Sequence, residues 1–176
     1  MCVGKQSRGE KLHLVRMAEL LTEKNAELSK GDPNLVFKGR CVLLGNMVKD
    51  ERWEAAVSSE AASDPATLEA AGALDAYSCI GDHTASQSDV TSACTQRFLR
   101  GTPAWTSIPR ERWPADWRGK FFNPVVPQVL NTYGHPEAGA IWEEHFEDIT
   151  FDSGFLQIDN HRACYWHPKL RVTMVV

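Results

Sequence analysis

The run Leu35–Leu44, LVFKGRCVLL, is dense in β-branched and aliphatic side chains and is bounded by Gly31-Asp32-Pro33 on one side and Gly45 on the other. Such a run reads as a β-strand. It carries charge in a specific way. Lys38 and Arg40 are two positions apart, so a strand projects both from one face. Any fold for this chain must therefore hold a strand whose one side offers two adjacent cations. The preceding residues 8–29 place Leu14, Met17, Ala18, Leu21 and Leu28 at helical spacing, which predicts an amphipathic helix stopped by Gly31-Asp32-Pro33.

Beyond the strand, residues 45–63 read as a long connection. Asp64 and Pro65 then supply an N-cap and a first-turn proline for an Ala-rich helix reaching about Tyr77. Ser86–Val90 reads as the end of a strand. Residues 99–123 hold prolines, tryptophans and arginines and read as irregular or hairpin. Asn123–Leu130 reads as a strand interrupted by prolines, and so near a sheet edge. A helix is expected from Gly134-His135-Pro136 onward, with Ala138, Ile141, Trp142 and His145 on one face. Residues 163–176 read as two strands joined by a turn at His167-Pro168. The chain ends inside an apolar strand, which suggests a truncated reading frame.

Composition bounds the function classes. The chain has 176 residues, 43% apolar and 24% charged, a length that suits one domain. No apolar stretch of about 18 residues is present and the N-terminus is polar, so an intracellular, non-membrane protein is the expectation. Cys2, Cys41, Cys79, Cys94 and Cys164 are widely spaced and odd in number, which favours reduced thiols. The net charge of −4 does not advertise a nucleic-acid binder, but the charge is polarised. Six bases face two acids between Arg97 and Lys120, and seven acids with no Lys or Arg lie between Glu137 and Asp159. GxSxG, HExxH and P-loop motifs are absent. His161, Cys164 and His167 are of metal-ligand type, but steps of three alternate faces on a strand, so the three would not converge.

Four blocks in order resemble the reverse transcriptase domain of Copia-type retrotransposons. Phe37–Asn46 resembles the family's fingers strand. Gln87–Gln96 (QSDVTSACTQ) resembles the strand written QLDVKTAFLNG, followed by a hairpin likeness over Leu99–Pro109. Thr132–Glu143 (TYGHPEAGAIWE) resembles LYGLKQAPRAWYE, and Gly154–Trp166 resembles a closing strand pair. Together they span about residues 36–176. The resemblance implies an α+β fold, with part of a fingers and palm built on an antiparallel sheet with packed helices. It implies a boundary between an N-terminal helical segment of unknown role, residues 1–34, and a partial polymerase domain, residues 35–176.

For activity, the resemblance implies an RNA-directed DNA polymerase fragment that is inactive alone. A non-catalytic nucleic-acid-binding remnant and a small soluble interaction protein are the alternatives. Asp89 matches the first catalytic, Mg²⁺-binding carboxylate, and it is expected at the end of a central strand in one sheet with residues 171–176. Lys38 and Arg40 match positions meeting the incoming triphosphate, in a cleft shared with Asp89. Val90, Ala93 and Cys94 match the sugar side of the nucleotide. Tyr133 and Gly134 match contacts to nucleotide and template. The implied partners are an RNA or DNA template-primer, deoxynucleotides and other regions of the element's polyprotein. Departures are also present. The YVDD motif with the two remaining metal carboxylates would follow Val176, and Cys94 stands where an aromatic residue usually blocks a ribose 2′-hydroxyl.

Overall fold

A computed structural model describes residues 11–56 and 65–176. The protein is α+β and divides into two compact units. The described residues of the first are 11–56 and 94–138; those of the second are 65–93 and 139–176.

The first unit is a four-stranded sheet in the order β2-β1-β3-β4, where β1 is His13–Lys24, β2 is Val36–Leu43, β3 is Ala104–Ser107 and β4 is Val125–Pro127. The helix expected over residues 8–29 is therefore corrected to a strand across His13–Lys24. The reason is tertiary. β1 pairs antiparallel with β2 from Met17↔Leu43 to Lys24↔Val36 and parallel with β3 from His13↔Ala104 to Arg16↔Ser107. This register puts Val15, Met17 and Leu43 on one side, where they pack with Val48 and Ala56. Burying side chains of this kind contributes about 1.5–3 kcal/mol each, more than the propensity difference that favoured a helix. β2 forms as its composition predicts. β4 is an edge strand, as its prolines require, and covers only three residues.

The second unit pairs two helices, α1 (Leu68–Ser78) and α2 (Ala138–Asp152), with a three-stranded antiparallel sheet. That sheet has the order β5-β6-β7, with β5 at Leu156–Gln157, β6 at Cys164–His167 and β7 at Val172–Val175. β6 and β7 match the two expected strands. Asp64 lies outside the described residues, and α1 starts later than expected. Thr67 is its N-cap, its side chain accepting from the Ala70 N–H at 3.2 Å. The α2 helix begins at Ala138 rather than at Gly134, and Ala138 and Ile141 of the expected face are buried. Its aromatic face meets β6, with ring centroids of Phe146 and Tyr165 6.2 Å apart. The Tyr165 hydroxyl is pushed up to about 12 by burial, and also by the nearby Glu147 and Glu143 carboxylates. Among the described residues no helix is long and apolar enough to cross a membrane.

Candidate functional site

Parts of three of the four blocks lie in the first unit: Phe37–Asn46, Cys94–Gln96 and Thr132–Ala138. At the end of β2 the Leu43 N–H donates to the Tyr133 carbonyl at 2.7 Å. Directly beyond, the chain crosses Gly134 with no space between the backbones. A Cβ on Gly134 would sit 1.9 Å from the Leu43 carbonyl oxygen, and one on Gly45 would sit 2.0 Å from the Gly134 carbonyl oxygen. Gly134 also has φ +87°, which side-chain-bearing residues rarely adopt. Two glycines from two separate blocks thus form one crossing.

Cys94 joins the same place. It is buried in a 3₁₀ turn at Ala93–Gln96. The segment after it pairs with the segment before Tyr133: the Leu99 N–H donates to Val129 O at 2.9 Å and the Asn131 N–H to Arg97 O at 2.8 Å. Burial pushes the Cys94 thiol up, while hydrogen bonds with the Tyr133 side chain and its own backbone act the other way. The thiol is therefore neutral at ordinary pH, a small side chain and not a nucleophile.

A partly buried polar ladder holds the Tyr133 segment in place. The Thr106 hydroxyl donates to Gln128 Oε1 at 2.8 Å, and Gln128 Nε2 donates to Leu130 O at 2.8 Å and to Thr132 Oγ1 at 2.6 Å. Asn131, fully buried, donates to Ala138 O at 3.0 Å and leaves its Oδ1 without a partner. His135 is buried as well. Its Nδ1 accepts from the Glu137 N–H at 3.2 Å, so the neutral ring carries its proton on Nε2, which has no partner. Burial lowers the His135 pKa; Glu137 raises it and His13 lowers it further. Sequence reasoning did not single out Gly45, Thr106, Gln128, Asn131 or His135. Their roles come from long-range packing, and the one local signal was a glycine in each of two blocks.

The remaining site residues are placed less favourably. In the second unit Val90 is 40% exposed and Ala93 half-buried; in the first, Tyr133 is half-exposed. Lys38 and Arg40 share a face of β2, as strand alternation demands, and both are exposed. They lie on the edge strand of the first unit's sheet, and Asp89 belongs to the second unit. A cavity of about 450 Å³ is bordered by Lys11, His13, Asp50, Glu54 and Glu137.

Asp89 is exposed and lies in an irregular stretch rather than at a strand end. Among the described residues no β-bridge involves positions 83–90. The expectation that it ends a strand in one sheet with residues 171–176 is corrected accordingly. The physical reason is composition: in Ser86–Val90 only Val90 could gain from burial. Among the described residues no group of three His, Cys, Asp or Glu side chains could hold a metal ion. A Mg²⁺ ion needs several oxygen ligands in near-octahedral order, so one exposed carboxylate does not fit it. His161 is exposed and Cys164 buried. His167 is buried, with its ring against Phe155 and the Leu170 N–H donating to Nδ1 at 3.2 Å. Within the basic run, Arg112 forks onto Glu19, with Nη2–Oε2 at 3.1 Å, and Arg110 lies 5.9 Å over the Trp113 ring. No protein-family description, curated protein or solved structure matches the chain.

Proposed function

We propose that this chain is a fingers and partial palm portion of a Copia-type RNA-directed DNA polymerase, and that alone it binds without polymerising. One observation carries the reading. Segments of three of the resembling blocks, at Leu43–Gly45, Cys94 and Tyr133–Gly134, are far apart in the chain yet in direct contact, and the resemblance assigns Cys94, Tyr133 and Gly134 to the nucleotide. In this reading Tyr133 and Gly134 offer a backbone-walled floor to nucleotide and template. Cys94, with Val90 and Ala93 just before it, faces the sugar. Lys38 and Arg40 meet phosphate oxygens; the guanidinium suits them as a planar fork and the ammonium as a point charge. Asp89 contributes one carboxylate.

The resemblance matches one metal-binding carboxylate, Asp89, which favours a binding role for the chain by itself. Phosphoryl transfer of this class needs two metal ions clamped between attacking and leaving oxygens. Purified chain should give no Mg²⁺-dependent primer extension on an RNA template. Fusion to a Copia palm and thumb segment that contains YVDD should give extension, and Asp89→Ala in that fusion should abolish it. A fusion that extends primers equally well with Asp89→Ala would overturn the assignment.

A further inference from the structure

The β1–β2 ribbon segregates its charge by face. Cross-strand partners share a face, and the register joins Leu20 to Arg40, Thr22 to Lys38 and Lys24 to Val36. Alternation along β1 adds Arg16 to that same face. The even-numbered face thus carries Arg16, Lys24, Lys38 and Arg40 with no acid, and all four are exposed. The odd-numbered face carries Glu19 and Glu23, with the core residues Val15, Met17 and Leu43 at its base and Arg112 bound to Glu19. Among the described residues, the four cations form no ion pair. In the loop beyond, Asp32 turns onto its own backbone, accepting from the Asn34 N–H at 2.8 Å.

We propose that this face binds the sugar–phosphate backbone of a single-stranded nucleic acid. The inference rests on the polymerase reading for its choice of partner and extends it from one nucleotide to a strand. Length decides between the two. Eight steps along β1 from Arg16 to Lys24 cover about 27 Å, far more than one triphosphate needs. One nucleic-acid strand at about 3.4 Å per charge presents about eight phosphates over that distance. The face carries no aromatic side chain, so base stacking adds nothing there and recognition is by charge, independent of sequence.

The test is fluorescence anisotropy of the whole chain with labelled oligothymidylate and oligouridylate across a salt series. Four neutralised phosphates give a log–log salt slope of about −2.8, or about a fifty-fold loss of affinity from 50 to 200 mM salt. Changing Arg16, Lys24, Lys38 and Arg40 together to Gln should remove that slope. Lys38→Gln with Arg40→Gln should reduce it by about 1.4, which guards against misfolding of the fourfold variant. Lys169→Gln with Arg171→Gln, in the turn between β6 and β7, should leave it unchanged. An unaltered slope in the fourfold variant overturns the proposal. So does an equal loss in the Lys169 and Arg171 variant, or tighter binding to phosphatidylserine vesicles than to either oligonucleotide. The titration involves no catalysis, so its failure is separate from failure of the fusion experiment.

Discussion

Gly134→Ala tests the crossing on which the candidate site depends. Two costs add. The first is conformational: at φ +87° a Cβ is strained, which costs about 1–2 kcal/mol. The second is steric. The new Cβ would stand 1.9 Å from Leu43 O and 2.9 Å from Leu43 C, so the β2 end must move away, and overpacking of this kind costs about 1–3 kcal/mol. The sum, about 2–5 kcal/mol, is a large part of a domain's stability. Gly31→Ala is the control, because it has φ +99° and nothing within 4 Å of its Cβ, so only the first cost applies. Gly45→Ala has the steric cost alone. The double variant Gly45→Ala with Gly134→Ala should lose less than the sum of the two, since the first Cβ opens the gap that the second would enter. Urea unfolding followed by tryptophan fluorescence measures all four. A Gly134→Ala loss within about 0.5 kcal/mol of the Gly31→Ala loss would refute the close-crossing argument, and strict additivity of the double variant would refute the shared gap.

Two further outcomes are expected. His135 has a lowered pKa in the folded state, so the unfolded chain binds the extra proton first. Its contribution is complete above the unfolded value of about 6.5 and is lost as pH falls through the folded value. Urea midpoints should therefore drop on acidification below about pH 6.5, and His135→Gln should flatten that slope; an unchanged slope would remove His135 as its source. In the active fusion, Cys94→Tyr should raise the preference for deoxynucleotides over ribonucleotides, because the thiol is small and sits against Tyr133. An unchanged ratio of incorporation rates would take Cys94 out of the sugar position.

What was legible in the sequence follows from where the deciding forces act. β2, β6 and β7 were readable because their β-branched and aromatic side chains fit a pleated, half-buried surface. The face of α2 was readable from the spacing of Ala138 and Ile141. β1 was not. Leu14, Met17, Ala18 and Leu21 fit a helical stripe, but Val15 and Met17 also alternate, and only the pairing of β1 with β2 and β3 selects between the two patterns. The cation pair on β2 was legible from alternation, whereas its setting on an open edge was not. Cys94, Tyr133 and Gly134 lie far apart in the sequence, and only long-range packing brings the Cys94 thiol to the Tyr133 side chain. The ladder of Thr106, Gln128 and Asn131 that fixes them involves polar residues whose burial no local pattern announces.

The segments at Tyr133 and at Asp89 are held with very different stiffness, each within its own unit. Around Tyr133 the backbone is fixed by a glycine-on-glycine crossing, by paired segments on both sides and by buried hydrogen bonds. A site held this way needs little reorganisation when a ligand arrives, which favours binding. Around Asp89 no β-bridge fixes the backbone among the described residues, and the residue is exposed. Transition-state stabilisation depends on charges that are already oriented before reaction, and a single exposed carboxylate is not. On the proposed reading, the segment assigned to the nucleotide is thus the stiffer of the two, and the segment assigned to the chemistry is the less constrained.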